Sequence, residues 1–309
     1  MISPRNPESF FAAHSLIVIT GCILFISIVS PLIMGVLQGS QRFLAISINV
    51  VFSSLSKLVF GVMLVILGFG VMGALFGLGL SIFLALLLAI FQLPREVVKA
   101  HAGCLEKLGM QSIYKYYIAV FLSSLGCMIL TIGDVILVKH FFSPEYAGFY
   151  SVAQMTGKMI LFLPAVVSIV LFPKISDAFS QGQPTEQLLK KGLLVVGVLC
   201  GSLSIFCSLF PGLVLKILTR QEAMQAVSLV PFFCIAMTFY ALVNQFMVYN
   251  LAIHQFRFTV YLLLASLSQL VLISLFHPNL PVVLFFLIAS SLGLFLLGCW
   301  EAARVKIGS

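Results

Sequence analysis

The sequence predicts an all-α, polytopic membrane protein, and three observations carry that prediction. Of 309 residues, 61% are apolar and only 8% charged. The mean hydropathy is +1.18. The apolar residues fall into nine runs, each near the roughly 20 residues needed to cross a bilayer. An ordinary soluble domain is about half apolar and about a quarter charged. The composition therefore excludes an ordinary soluble enzyme, a disordered chain and a nucleic-acid-binding domain. The net charge of +8 comes from 17 basic and 9 acidic residues, too few for a DNA-binding patch. In a membrane protein that excess belongs in cytoplasmic loops. Seven cysteines form no CxxC pair and lie mostly in apolar runs, which suggests neither a disulfide framework nor a metal site.

The runs span 15–37, 44–68, 69–92, 113–139, 146–173, 191–211, 226–253, 256–277 and 280–300. The first is too long for a signal-peptide core and has no small-residue cleavage site, so it reads as a retained helix. Gln38-Gly39-Ser40-Gln41-Arg42 closes it. Gly68-Phe69-Gly70 makes a tight joint after the second run. Ser143-Pro144-Glu145 follows the fourth, and His277-Pro278-Asn279 follows the eighth; such residues break helices. Residues 93–112 are the longest polar break and read as a cytoplasmic linker. It separates a partial N-lobe of three helices (1–92) from a C-lobe of six (113–309). Residues 213–225 read as a short amphipathic segment or a solvated connector at the outer surface.

Loop charge predicts orientation. Arg42, Arg95, Lys99, Lys107, Lys115, Lys174, Lys190, Lys191, Arg257, Arg304 and Lys306 fall on one side; Arg5, Lys139, Lys216 and Arg220 fall on the other. The richer side is expected to be cytoplasmic, which puts the N-terminus outside and the C-terminus inside.

Charged side chains inside a bilayer are costly and mark cavities or partners. Lys57 and Lys158 lie roughly 20 Å and 18 Å into their helices at 1.5 Å per residue, near the midplane. Asp134 sits in the outer third of the fourth helix. Each belongs to a polar row at helical spacing: Asn49, Ser53, Lys57 and Gly61; Tyr150, Gln154 and Lys158; Ser124, Cys127, Thr131 and Asp134. Such rows would line an aqueous cleft, where an ammonium suits a phosphate as a point charge. Lys57, Lys158, Asn49 and Gln154 are accordingly candidate substrate-binding residues. Asp134 is a candidate for ion coupling or for an internal ion pair with Lys158. Asn244 and Gln245, with Tyr240 and Gln269, are candidate sugar contacts, although amides in membrane helices often bridge neighbouring helices instead. Gly73, Gly77 and Gly79 read as sites of close helix approach. The nine acids are scattered and no GxxxxGK[ST] loop is present, so the reading is of a non-enzyme with no cofactor and no metal.

The start of the second helix is similar to the start of the eighth. Gln41-Arg42-Phe43 precedes Ser54-Leu55-Ser56-Lys57, and Phe256-Arg257-Phe258 precedes Ser266-Leu267-Ser268-Gln269. A parallel repeat of this kind implies that about three helices are missing before the first.

Three stretches carry a resemblance to a known family. They are Leu37-Gln38-Gly39-Ser40-Gln41-Arg42-Phe43 through Gly73-Ala74-Leu75-Phe76-Gly77; Gly133-Asp134-Val135-Ile136-Leu137-Val138 and Ala147-Gly148-Phe149-Tyr150-Ser151 on through Leu171-Phe172-Pro173-Lys174-Ile175-Ser176; and the Pro211-Gly212 joint with the region from Asn244 to Phe258. On these the chain resembles the polysaccharide biosynthesis proteins, or oligosaccharide flippases, of the multidrug/oligosaccharidyl-lipid/polysaccharide exporter superfamily. The resemblance implies a two-lobed exporter bundle in the bacterial inner membrane, from which this chain departs by lacking about three N-terminal helices. It implies transfer of lipid-diphosphate-linked glycans across the membrane by alternating access. The implied partners are that substrate, membrane lipid and the polysaccharide assembly machinery, with no nucleic acid. The alternatives are a drug or small-metabolite exporter of the same superfamily and a non-transporting truncated membrane protein.

Overall fold

The computed structural model describes residues 7–93, 110–219 and 224–305, and every regular element among them is helical. Most of the expected linker, together with Arg5, Arg95, Lys99, Lys107, Arg220 and Lys306, lies outside the described residues. Among the described residues, eight helical runs are long and apolar enough to span a membrane. One of them, Phe43–Phe91, folds back on itself. Large apolar side chains stand out around the perimeter, among them Phe25, Ile66, Phe91 and Phe162. A soluble surface does not tolerate such patches, whereas lipid does. The chain divides into two compact units, Met1–Leu105 and Glu106–Ser309.

The first unit holds α1 (Pro7–Gly39), α2 (Phe43–Leu64) and α3 (Gly70–Phe91). A π-helical turn, Val65–Phe69, joins α2 to α3. Gly68 (φ 93) and Gly70 (φ 50) reverse the chain there in left-handed backbone that favours glycine. The returning helix packs backbone to backbone. A Cβ on Gly77 would lie 2.7 Å from the Gly61 nitrogen, and one on Gly73 would lie 2.8 Å from the Leu64 oxygen. Gly79 instead faces the Ile23 side chain of α1, whose Cγ1 would lie 2.9 Å from an added Cβ. Small residues at such positions let membrane helices approach closely, where van der Waals contact is the main attraction.

The second unit holds α4 (Met110–Phe141), α5 (Pro144–Ser180), α6 (Glu186–Leu209), the short α7 (Pro211–Thr219) and α8 (Met224–Val227), then α9 (Val230–Ala252), α10 (Arg257–Leu275) and α11 (Leu280–Val305). Ser143 and Pro144 open α5, proline being tolerated in a first turn. Pro164 and Pro173 stand inside it. The α5 helix extends seven residues beyond the apolar run expected to end at 173, because a helix leaving the bilayer need not be apolar.

Paired positions give the packing directions. Asp134 with Tyr150 and Thr131 with Gln154 set α4 antiparallel to α5. Gly157 against Phe233 and Ser168 against Gln245 set α5 parallel to α9. Ser123 with Thr259 and Gly126 against Leu262 set α4 parallel to α10. The α9 helix is the most enclosed, with buried residues from Val230 to Ala252. These directions bring Lys115, Lys174, Lys190, Lys191, Arg257 and Arg304 to one end of the unit, and Lys139 and Lys216 to the other.

The Gly61–Gly77 approach has a direct test. Gly77→Val would drive side-chain carbons into main chain that has no room to yield, at a cost of about 1–3 kcal/mol. Its thermal unfolding midpoint in detergent is expected to fall well below that of Gly21→Val, since Gly21 has nothing within 4 Å of an added Cβ.

Candidate functional site

The polar residues of the second unit converge on one region between α4, α5, α9, α10 and α11. Asp134 of α4 is 0% exposed. Its carboxylate accepts a 2.7 Å hydrogen bond from the Tyr150 hydroxyl. Gln154 Nε2 donates to both its oxygens, at 3.0 and 2.9 Å, and approaches the Thr131 carbonyl at 3.3 Å. Tyr150 and Gln154 lie four apart on α5, on the face turned to α4. A charge at the bilayer centre costs about 2.5–3.5 kcal/mol on insertion scales, and Asp134 lies nearer the surface. Hydrogen bonds to a charged group stabilise by about 1.5–3 kcal/mol each, so two donors offset a cost of that order.

Lys158 stands one turn further along α5 and is half-buried. No ion pair joins it to Asp134 among the described residues, although it follows Gln154, which donates to that carboxylate, by one turn. The direct ion pair considered from sequence is thus replaced by a hydrogen-bonded triad with a cation beside it. Tyrosine and glutamine reach the carboxylate first and fill its lone pairs.

A second cluster joins α9 to α10 and α11. The Tyr240 hydroxyl donates to Gln269 Oε1 at 2.6 Å and lies 2.8 Å from the Ser290 hydroxyl. Ser290 donates to the same Oε1 at 2.6 Å. Gln269 Nε2 then donates to the Leu130 carbonyl on α4 at 3.2 Å, so one carboxamide ties α4, α9, α10 and α11 together. The third cluster surrounds the α5 proline. Pro164 has no N–H, which frees the carbonyl four residues earlier, and the Cys200 thiol on α6 approaches that Ile160 oxygen at 3.7 Å. Ser168 accepts from Gln245 at 3.0 Å and Asn244 at 3.4 Å. Gln245 Oε1 is buried without a partner among the described residues.

Between these clusters lies a cavity of about 400 Å³, walled by Cys127, Thr131, Leu161, Pro164, Tyr240 and Asn244 among others. Lys158 sits on α5 between the Asp134 triad, at positions 150 and 154, and this wall, at 161 and 164. The structure therefore brings Asp134, Gln154, Asn244 and Gln245 to one polar core, with Lys158 between them along α5 and outside the cavity wall. Ser168 and Ser290 belong to it and were not singled out from sequence. A serine in an apolar run usually bonds its own helix, and only the facing amides show that these two also act between helices.

The first unit places its candidates differently. Asn49 is buried and donates to the Ala85 carbonyl of α3 at 2.8 Å. Lys57 lies on the exposed side of α2. The two are eight residues apart, so at 3.6 residues per turn they point about 80° apart. The row of polar residues seen in sequence is a slow spiral, and its Asn49 end is turned onto α3.

The fold is shared with a solved structure: the crystal structure of a MATE in the bent conformation superposes with a TM-score of 0.71 at 14% identity, covering 99% of this chain and 72% of that one. A family model described as Polysaccharide biosynthesis protein matches residues 11–179, more than half of the chain, and the chain belongs to that family. No curated protein sequence matches it significantly.

The triad's cohesion is measurable. Tyr150→Phe is expected to destabilise the protein by about 1.5–3 kcal/mol, the worth of a hydrogen bond to a charged group. In an Asp134→Ala background the same change is expected to cost far less, a coupling of at least about 1 kcal/mol. Additive losses in denaturant titrations would show that the two side chains act separately.

Proposed function

We propose that this exporter-type protein moves a lipid-linked oligosaccharide across the membrane by alternating access, making and breaking no covalent bond. Membership of the polysaccharide biosynthesis family supports the substrate class, and the likeness to a MATE supports the mechanical class. The observation that carries the reading is the position of Lys158, between the Asp134 triad and the cavity wall on one helix. A single ammonium at that depth offers a diphosphate a point contact, while the amides of Asn244 and Gln245 offer sugar hydroxyls donors and acceptors. The lipid tail stays in the bilayer. The same cation disfavours organic-cation drugs, which weighs against small-molecule export.

In this reading the end carrying Lys115, Lys174, Lys190, Lys191, Arg257 and Arg304 faces the cytoplasm of a bacterial cell. The N-terminus is then outside. Polysaccharide assembly enzymes would act on the delivered substrate.

Lys158→Ala, expressed in cells blocked in export of lipid-linked oligosaccharide, is expected to lower surface polysaccharide per membrane-embedded protein by about tenfold relative to the unaltered chain. That corresponds to about 1.4 kcal/mol of lost contact. Lys158→Arg is expected to retain most of the export, because the charge is kept. Undiminished export by Lys158→Ala would remove the phosphate-guiding role.

A further inference from the structure

A second polar cavity, of about 490 Å³, opens at the cation-rich end of the second unit. It belongs to none of the clusters above. The turn between α9 and α10 supplies His254, held in left-handed backbone at φ 56, and Arg257. The last turns of α11 supply Trp300, Glu301 and Arg304. The Arg304 guanidinium lies 3.7 Å over the Trp300 ring. His254 is backed by Tyr116, with ring centroids 5.2 Å apart.

Glu301 is the unusual member. It is only 8% exposed, and its Oε2 is buried with no hydrogen-bond partner among the described residues. Arg257 acts on it electrostatically without forming an ion pair among the described residues. A carboxylate near a helix C-terminus is also opposed by the helix dipole. A buried, undonated carboxylate oxygen is expensive, so the cavity calls for a donor. Two guanidiniums beside it call for an anion. One ligand must answer both.

We propose that this cavity binds a phospholipid headgroup that carries a phosphate diester and a primary ammonium, namely phosphatidylethanolamine. The phosphate lies with Arg257 and Arg304, and the ammonium donates to the Glu301 carboxylate in a charge-assisted bond. The site stands at helix ends bearing tryptophan and arginine, where membrane proteins meet headgroups, so the acyl chains can remain in the bilayer. A choline headgroup has the phosphate but no N–H. A glycerol headgroup has only neutral hydroxyl donors. Inorganic phosphate has no ammonium.

The test uses the full-length protein, delipidated in detergent and given each lipid class at equal concentration, with retained lipid counted by native mass spectrometry. Phosphatidylethanolamine is expected to be retained about tenfold or more over phosphatidylcholine, and to raise the thermal unfolding midpoint more than phosphatidylglycerol or inorganic phosphate does. Glu301→Gln is expected to erase the preference over phosphatidylcholine. Arg257→Ala with Arg304→Ala is expected to weaken retention of every phospholipid. Equal retention of the ethanolamine and choline lipids by the unaltered protein would overturn the proposal, whatever the variants do. So would a preference for phosphatidylglycerol, an equal shift with inorganic phosphate, or a full preference surviving in Glu301→Gln.

Discussion

The bond network around Asp134 is the constraint on which the second unit depends. Deep in an apolar bundle a polar group must find its partners within the protein, and a carboxylate is the most demanding of them. Tyr150 and Gln154 must therefore face α4 from α5 at fixed depth. That fixes the register of the two helices. It also sets the face α5 leaves for α9, where Gly157 lets Phe233 approach closely. From this pairing follow the wall of the cavity and the placement of Lys158 beside it.

The same accounting explains the other polar residues. Gln269 collects two hydroxyls on its oxygen and gives its nitrogen to the Leu130 carbonyl. Pro164 interrupts the α5 ladder, and Cys200 approaches the carbonyl that the interruption frees. These groups cost stability if left alone and bind helices together when paired. Under the proposed alternating access, a core exposed to water part of the time needs polar groups there, and hydrogen-bonded clusters satisfy them when it is not.

Much of the fold was legible because length and breakers are local properties. The Gly68-Phe69-Gly70 joint, the Ser143-Pro144-Glu145 turn and the small residues Gly73 and Gly77 each act through their own backbone, so their roles can be read one residue at a time. Of the row Ser124, Cys127, Thr131 and Asp134, the last three span less than two turns and stay on one face, while Ser124 has drifted about 80° from Asp134 and is exposed. The row from Asn49 to Lys57 was not legible, since steps of four drift around the helix. Ser168 and Ser290 were invisible for another reason. Their partners are chosen by which helices pack side by side, a fact no single helix contains.

The central claim is that the polar core encloses a cavity that water reaches, and Cys127 on its wall reports on this directly. Variants retaining only Cys127 or only Cys200 would be treated in membranes with a small water-soluble thiol reagent, and labelling rates compared. Cys200 is fully buried in the apolar core. The account predicts that Cys127 is labelled many times faster than Cys200 and that Thr131→Val, which dries the wall, slows it. Equal, negligible labelling of both thiols would contradict a wet cavity at the heart of the bundle.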